Sequence, residues 1–556
     1  MKRSVALAAL LLAYVGVAHG VIRQVPSQYP TIQAAVDACN PGDIVQVAAG
    51  TYSDVTHLPG GPDTTLCAVV MKSGITVQGA GPNLTIVDAD SAGRIFHCDG
   101  VTNSTIRDLK IRRAFAQAHG CGIFCINGST PTIVNCDIVE NGDGAIICLN
   151  SSPTITNCRI NDNSSKQGGG LAFEVGSAPS VTDCQILRNQ APVAGGVFVR
   201  GGSAAIFTNC DISDNFVNAP LGPGGGLQVV SAQATLNNCQ ITGNRSGGPG
   251  GGLAIYDDAS VTLNTCNVSR NRTVAAAPYT HGGGFFIDNS NVTLEDCLIT
   301  RNKVTSAQSE GAGIYVTDYI DPTHWILNVH QCTIAQNENL ANHHGGGGIT
   351  TEMASPIIQH SIIAGNFVAM HCIDPADDPV VSCSDIFGNY VSNTICGTDG
   401  GDNFSLDPKF CNMYLDNYEL IPNSPCAPGH HPNGPSACGG QRIGAKDVGS
   451  CNLADAGEET WTSGAAARLI GNIPNPSRPA TSILFDLPRA ASVRLDVFDV
   501  SGRLVRRLAE GPFEAGSHAV AWDARDGSGN PAPSGVYFYR LFVEGAQQTR
   551  TLVLAR

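Results

Sequence analysis

From Cys136 to Cys332 a cysteine followed five residues later by an asparagine recurs eight times, and no other feature restricts the fold of this chain so sharply. The pairs are Cys136/Asn141, Cys158/Asn163, Cys184/Asn189, Cys210/Asn215, Cys239/Asn244, Cys266/Asn271, Cys297/Asn302 and Cys332/Asn337. Two further units keep the asparagine, at Asn366 and Asn389, and place Ser361 and Ser384 where the cysteine would stand. Repetition at intervals of 22 to 35 residues means a stack of like units, and about ten units exceed the roughly three that stacking needs.

Helical and leucine-rich repeats share this range of periods, so the interior of a unit decides between them. In Ser260–Val268, Val261 and Leu263 alternate with polar residues, two polar residues intervene, and Cys266 and Val268 resume the alternation. That is strand, bend, strand; the apolar positions are largely β-branched and no segment keeps a helical period. Abundant glycine (64 residues) with few aromatic (6%) and charged (14%) residues suits short strands joined by tight turns. The sequence predicts an all-β chain: a right-handed parallel β-helix of three-stranded coils about 4.8 Å apart.

The repeated asparagines are expected to form a structural ladder that satisfies turn backbone in successive coils, asparagine being tolerant of left-handed dihedrals. The cysteine column invites a disulfide or metal reading. Parallel side chains in register keep their Cβ atoms about a strand spacing apart, beyond the usual disulfide separation of about 3.8 Å, so buried free thiols are favoured. Cys98, Cys125 and Cys148 suggest a second, shorter column, while Cys39 and Cys67 fall near the N-terminal cap. Cys372, Cys383, Cys396, Cys411, Cys426, Cys438 and Cys451 crowd a loop-rich region where the repeats fade. Disulfides could hold that region together, and zinc is the weaker alternative because no Cys-x-x-Cys pairs recur there. With 21 cysteines, at least one is unpaired within a monomer.

The two ends differ from the body. Lys2 and Arg3 precede an apolar run from Val5 to Val17, followed by Ala18 and Gly20, the pattern of a signal peptide over residues 1–20. No cysteine follows to carry a lipid anchor, and no later apolar run reaches the roughly 18 residues of a membrane span. From Thr462 onward the chain has 11 arginines, no lysine and 8 acidic residues, so this end carries +3 and the remainder −18. With the small polar stretch Asn452–Ala467, that shift divides the chain into a β-helix with its N-terminal cap (21–410), a cysteine-rich C-terminal cap and linker (411–467), and a separate domain (468–556). The net charge of −15 argues against nucleic acid or an anionic membrane as partner.

Tyr29-Pro-Thr-Ile-Gln-Ala-Ala-Val36, Pro41-Gly-Asp-Ile-Val-Gln-Val47 and Gly50-Thr-Tyr52 resemble the opening of pectin-lyase-like β-helix proteins. Ile32, Val36 and Cys39 would form one face of a short helix covering the open end of the stack. The Gly-Gly-Gly and Asn-Cys-x-Ile-x-x-Asn coils resemble bacterial right-handed β-helix repeat proteins, including polymorphic outer-membrane proteins and adhesins. Asn475-Pro476, Val493–Arg503, Gly516, Trp522-Asp523 and Ser534–Leu541 resemble the Ig-like domain of flagellar hook-capping proteins and the type A sorting domain of type IX secretion. That resemblance implies a small β-sandwich, with Val493, Leu495, Val497, Val536, Phe538 and Leu541 as inward candidates, and a secretion machinery as partner.

These resemblances leave function open, since β-helices serve as lyases, hydrolases, esterases and adhesins. Motifs of pectin methylesterases (Asp-Phe-Ile-Phe-Gly, Leu-Gly-Arg-Pro-Trp) and polygalacturonases (Asn-Thr-Asp, Arg-Ile-Lys) are absent, and Ala118-His-Gly120 matches only loosely. No cofactor is expected, although Asp399, Asp402 and Asp407 could hold calcium or simply build a turn. The outward face of the strand after each glycine tract is more informative. If Leu253 and Ile255 point inward, one outward row holds Ala172, Phe198, Gln228, Ala254, Phe286, Tyr315 and Thr350. The next holds Glu174, Arg200, Val230, Tyr256, Asp288, Thr317 and Glu352. Within these rows, Phe198, Arg200, Tyr256, Phe286, Asp288, Tyr315 and Glu352 are the candidate ligand-binding residues, aromatics exposed among polar groups as in a sugar-stacking surface. Long loops at Arg272–His281, Lys303–Glu310 and Glu338–His344 would wall this face, with His281, His343 and His344 able to bind metal or move protons. The sequence therefore predicts an exported, adhesin-like binder of glycan or another extended ligand. A polysaccharide lyase or glycoside hydrolase is the alternative, and a structural envelope protein the third reading.

Overall fold

The alternation inside each repeat becomes strand, and the residues between alternating runs become corners. The computed structural model describes residues 20–555 apart from 60–63, 117–120, 275–279, 307, 320–325, 340–345, 414–415, 450, 452–466, 474–476, 478–479, 488 and 514–515. The signal-peptide pattern before Gly20, the Ala118–Gly120 match, His343, His344, most of the linker, Asn475 and Pro476 lie outside the described residues. The chain divides into two units, one running to Lys409 and including Pro422–Val448, the other formed by Phe410–Ile421 and Gly449–Arg556.

The first unit is a right-handed parallel β-solenoid of about 11 turns. Among the described residues its sheets have 15 strands (Ile22–Val25 to Thr398–Asp399), 12 strands (Cys67–Val70 to Met370–Cys372) and 13 strands (Gly50–Tyr52 to Asp385–Phe387). A fourth sheet of six two-residue strands, from Gln190–Ala191 to Glu338–Asn339, departs from the three-strand coil expected. It arises because the residue after each ladder asparagine stays extended and donates to the ladder residue one coil back, as Arg245 N does to Asn215 O at 2.9 Å. Inside the lumen identical positions stack: Ile138, Ile160, Ile186, Ile212, Ile241 and Val268 form one column, each fully buried. The helix Ile32–Asp37 is capped by Thr31, whose Oγ1 accepts from Ala34 N at 3.1 Å. Its Ile32 and Val36, with Cys39, join the main core as expected.

The ladder asparagines Asn141, Asn163, Asn189, Asn215, Asn244, Asn271, Asn302, Asn337, Asn366 and Asn389 are all buried. From Asn163 onward, each Oδ1 accepts from both the backbone N–H and the Nδ2 of the asparagine one coil back. Asn141 N donates to Asn163 Oδ1, Asn163 N to Asn189 Oδ1 and Asn337 N to Asn366 Oδ1, each at 3.0 Å. At the first rung the donor to Asn141 Oδ1 is instead Ala114 N, also at 3.0 Å, because no asparagine precedes it. For Asn271 the two accepted bonds and the Nδ2 bond to the next rung are 3.0, 3.0 and 3.0 Å, and its Nδ2 also donates to Ile241 O at 2.8 Å. The glycine tract makes room for this ladder. A Cβ on Gly252 would lie 2.7 Å from Gly284 O and 3.0 Å from Asn271 Nδ2, one on Gly251 2.5 Å from Gly283 O, and Gly250 has φ +71°.

One expectation about the ladder needs correcting. Asn141, Asn163, Asn189, Asn215, Asn271, Asn302 and Asn337 do not themselves take the left-handed conformation. It falls one residue earlier, at Glu140, Asp162, Arg188, Asp214, Arg270, Arg301 and Gln336 respectively. Ahead of Asn244, Asn366 and Asn389 the left-handed residue is a glycine, Gly243, Gly365 or Gly388. The ladder side chain must point inward to meet its neighbours, so the preceding residue takes the reversal. The same holds before the column cysteines, at Asn135, Asn157, Asp183, Asn209 and Asn238.

The eight column cysteines carry unbonded thiols, none more than 2% exposed. They contribute polar contacts as well as packing: Cys184 Sγ donates to Thr182 O at 3.2 Å and accepts from Cys158 N at 3.4 Å. Burial pushes the Cys297 thiol well above its ordinary pKa. Ser361 and Ser384 continue the column, each Oγ accepting from the backbone N–H one coil back at 3.1 Å. Cys98, Cys125 and Cys148 align as the second column. A serine ladder that the sequence reading missed, Ser129, Ser151, Ser177 and Ser203, bonds in the same way at 3.1 Å at another corner. Disulfides Cys372–Cys396 and Cys383–Cys438 fasten the C-terminal cap of the β-helix, and Cys411–Cys451 lies in the second unit.

The second unit contains antiparallel sheets of three and four strands around Leu469, Ile483, Phe485, Leu495, Val497 and Trp522. The strand Gly535–Val543 is turned relative to expectation. Leu541 does face inward, so Tyr537, Tyr539 and Val543 share its side, while Val536 is 43% exposed and Phe538 half-buried. A one-residue difference in parity exchanges the faces of a strand.

Candidate ligand-binding face

Strand pairing gives both outward rows the expected register. Phe198 pairs with Gln228, Gln228 with Ala254, Ala254 with Phe286, Phe286 with Tyr315 and Tyr315 with Thr350. These side chains leave the lumen, yet they are not the exposed aromatic surface anticipated: Phe198 is 4% exposed, Phe286 9% and Tyr315 2%. The glycine-tract turn before each strand folds over this row. A Cβ on Gly250 would lie 2.7 Å from Ala254 Cβ, and one on Gly311 2.6 Å from Tyr315 Cβ. The accessible residues are those of the second row, where Tyr256, Asp288 and Glu352 are half-buried and Arg200 is exposed, whereas Thr317 is buried.

Seven coils of this face do not make one site. Arg200 forms an ion pair with Glu174 at 2.6 Å and lies over the Phe198 ring at 5.4 Å, two coils from Tyr256. The other five candidates converge. The Tyr256 and Phe286 ring centroids are 5.3 Å apart, Phe286 and Tyr315 stack at 5.6 Å with planes 5° apart, and His281 also stacks on Tyr315, at 4.2 Å. Glu352 accepts from the hydroxyls of Tyr315 and Tyr319. Glu310 N–H donates to His281 Nδ1 at 3.1 Å, which fixes the imidazole with its remaining proton on Nε2, and burial lowers its pKa. The Glu310 carboxylate meets His371 Nδ1 at 2.8 Å and raises the pKa of that imidazole. The Asp288 carboxyl is pushed up to about 6, mainly by burial and then by Asp257 and Asp318.

Tyr319, Glu310 and His371 escaped the sequence reading. Tyr319 (58% exposed) lies in an insertion just past the Ile314–Thr317 strand, and His371 belongs to the outward row only through its pairing with Thr350. Only parts of the flanking loops Arg272–His281 and Glu338–His344 are described. Of the aspartates considered for calcium, Asp399 Oδ1 accepts from Gly401 N at 2.9 Å and Asp407 Oδ1 from Lys409 N at 2.9 Å, both within their own turns, while Asp402 Oδ1 accepts from Asn433 Nδ2 at 3.0 Å.

Stacked coils of this register define a right-handed parallel β-helix protein. The chain belongs to the right-handed β-helix family, whose model matches residues 94–249 and 195–386, together more than half of the chain. Residues 477–547 match the FlgD Ig-like domain. Among solved structures, the pectate lyase Pel9A is 13% identical over 75% of this chain and 90% of its own, with a TM-score of 0.34. The catalytic unit of a GH87 α-1,3-glucanase from Streptomyces thermodiastaticus is 14% identical over 70% of each chain, with a TM-score of 0.40. Dimeric latent PorU from Porphyromonas gingivalis is 23% identical over 17% of this chain and only 10% of its own, with a TM-score of 0.15. At these similarities no site or activity transfers. No curated protein matches the chain.

Proposed function

We propose that the protein binds an uncharged glycan across the coils from Tyr256 to Glu352. The observation that carries this reading is a carboxylate, Glu352, held by two tyrosine hydroxyls beside the exposed Tyr319 ring. Half-buried Asp288 and Tyr256 lie further along the same row. Aromatic faces stack on sugar rings, and fixed carboxylates accept from sugar hydroxyls. Asp257, Asp258, Asp288, Glu310 and Glu352 crowd this end of the face, whereas its Arg200 is already paired with Glu174. Such a surface repels uronate or sulfated chains.

Calorimetric titration with neutral oligosaccharides and with oligogalacturonate tests this. A neutral glycan should bind, Tyr319→Ala and Glu352→Gln should each weaken it at least about tenfold, or roughly 1.4 kcal/mol, and the uronate should not bind. Equal affinity for uronate, or an unaffected Tyr319→Ala, would refute the proposal.

One observation favours a hydrolytic reading as second choice. Asp288 and Glu352 are two coils apart in one row, about 9–10 Å by strand spacing, and Asp288 holds its proton to about pH 6. Inverting glycosidases separate acid and base by roughly 6.5–9.5 Å. Release of reducing ends that disappears in Asp288→Asn would establish it; binding without turnover leaves an adhesin-like binder.

The N-terminal pattern and the FlgD Ig-like match support an exported protein whose C-terminal domain meets a secretion or surface-anchoring partner. Deleting Asn475–Arg556 should then retain the β-helix in the periplasm. Unchanged surface display would leave that domain as a stalk.

A further inference from the structure

The left-handed residue before each column cysteine or serine belongs to a file running up the outside of the stack. In the early coils its members bond one another, as Asn157 Nδ2 does to Asn135 Oδ1 at 3.3 Å and Asn238 Nδ2 to Asn209 Oδ1 at 2.9 Å. The last four, Asp296, Gln331, His360 and Cys383, turn instead to the cap loop 438–447. Asp296 pairs with Arg442, Gln331 Nε2 donates to Arg442 O at 3.3 Å, and Cys383 is bonded to Cys438. His360 Nε2 donates to Cys438 O at 3.2 Å. A carbonyl oxygen can only accept, so Nε2 carries the imidazole proton and Nδ1 keeps a lone pair. That Nδ1 is buried and has no hydrogen-bond partner among the described residues. A ring nitrogen of His360 and the two sulfur atoms lie within 4.8 Å of one another.

We propose that reduction of the Cys383–Cys438 disulfide converts this corner into a zinc-type metal site with His360 as third ligand. A dithiol reductant gives two electrons and two protons to the disulfide and leaves as its own cyclic disulfide. The metal ion then displaces both thiol protons and binds two thiolates and the imidazole lone pair, with water in the fourth position. Donor atoms around tetrahedral zinc are about 3.5–3.8 Å apart given its bond lengths, so small side-chain shifts suffice. An imidazole that gives its other N–H to a backbone carbonyl is already in the form that metal-ligating histidines adopt. Either state ties the loop 438–447 to the last coils, through a disulfide when oxidised and through a metal when reduced. The site is independent of the glycan-binding face.

Cobalt(II) titration of the full chain, before and after reduction by dithiothreitol and its removal, tests the proposal. The reduced protein should bind one equivalent with thiolate-to-cobalt charge-transfer absorption, displaced by zinc, and the oxidised protein should show none. The absorption should vanish in Cys383→Ser, and His360→Ala should weaken binding at least about tenfold. No such absorption in the reduced wild type, or its survival in Cys383→Ser, overturns the proposal. Hydrogen exchange in wild-type residues 438–447 gives a second readout that needs no variant. Reduction should speed it and zinc should slow it again; exchange that zinc leaves unchanged in the reduced protein also overturns the site.

Discussion

Replacing Asn271 with alanine strikes the ladder at its middle. The variant loses four side-chain hydrogen bonds, leaving the backbone N–H of Asn244 and one of its Nδ2 hydrogens without an acceptor in a fully buried site. The backbone N–H of position 271 still reaches Asn302 Oδ1 at 3.0 Å, so damage should stay within the coils on either side. A buried donor left unsatisfied costs about 1–3 kcal/mol, so two such donors give a loss of roughly 2–6 kcal/mol. Stacked repeats need not unfold together, which makes amide hydrogen exchange the appropriate assay. Exchange of Asn244 and its neighbours should accelerate by about 30-fold or more, corresponding to at least roughly 2 kcal/mol. Asn238→Gly, at an exposed left-handed position, should change it by less than about 0.5 kcal/mol. A loss below about 1 kcal/mol for Asn271→Ala would mean that the ladder is not what holds the coils in register.

Three further outcomes are expected. The column cysteines from Cys136 to Cys332 should resist alkylation in the folded protein and react once it is denatured without reductant; labelling that appears only after reduction would contradict the unbonded thiols. Because folding raises the Asp288 pKa to about 6, ionising that group opposes folding: Asp288→Asn should have no advantage below about pH 4, gain stability relative to wild type as pH rises to 6, and keep that gain above it. Thermal denaturation across that range would reveal the opposite trend if the carboxyl were stabilised as the anion. Combined Phe286→Ala and Tyr315→Ala substitution should cost roughly 3 kcal/mol or more in denaturant melts, since both rings are covered; an unchanged melt would restore the exposed surface that the sequence suggested.

The sequence alone determined the solenoid, its asparagine ladder from Asn141 to Asn389, its free-thiol column and the neighbour relation of Phe286 and Tyr315. All of these follow from period and parity: a residue repeated at one position of every coil must meet its own copies, because parallel strands in register allow nothing else. The tertiary structure alone decided where the backbone reverses, before Asn141, Asn163, Asn189 and Asn337 rather than at them, since only the finished stack fixes which side chain must face inward. It also decided which side of the outward face is open. Phe286 and Tyr315 leave the lumen as alternation requires, but the turn ahead of each strand lies over them, and a turn's path carries no two-residue period. The Glu352–Tyr319 contact, the pairing of Glu310 with His371 and the bonding of Cys383 to Cys438 are hidden for the same reason. Each joins a residue of the regular coils to one from a loop of irregular length, Tyr319, Glu310 or Cys438, and the course of such a loop is set by what the finished stack offers it to pack against.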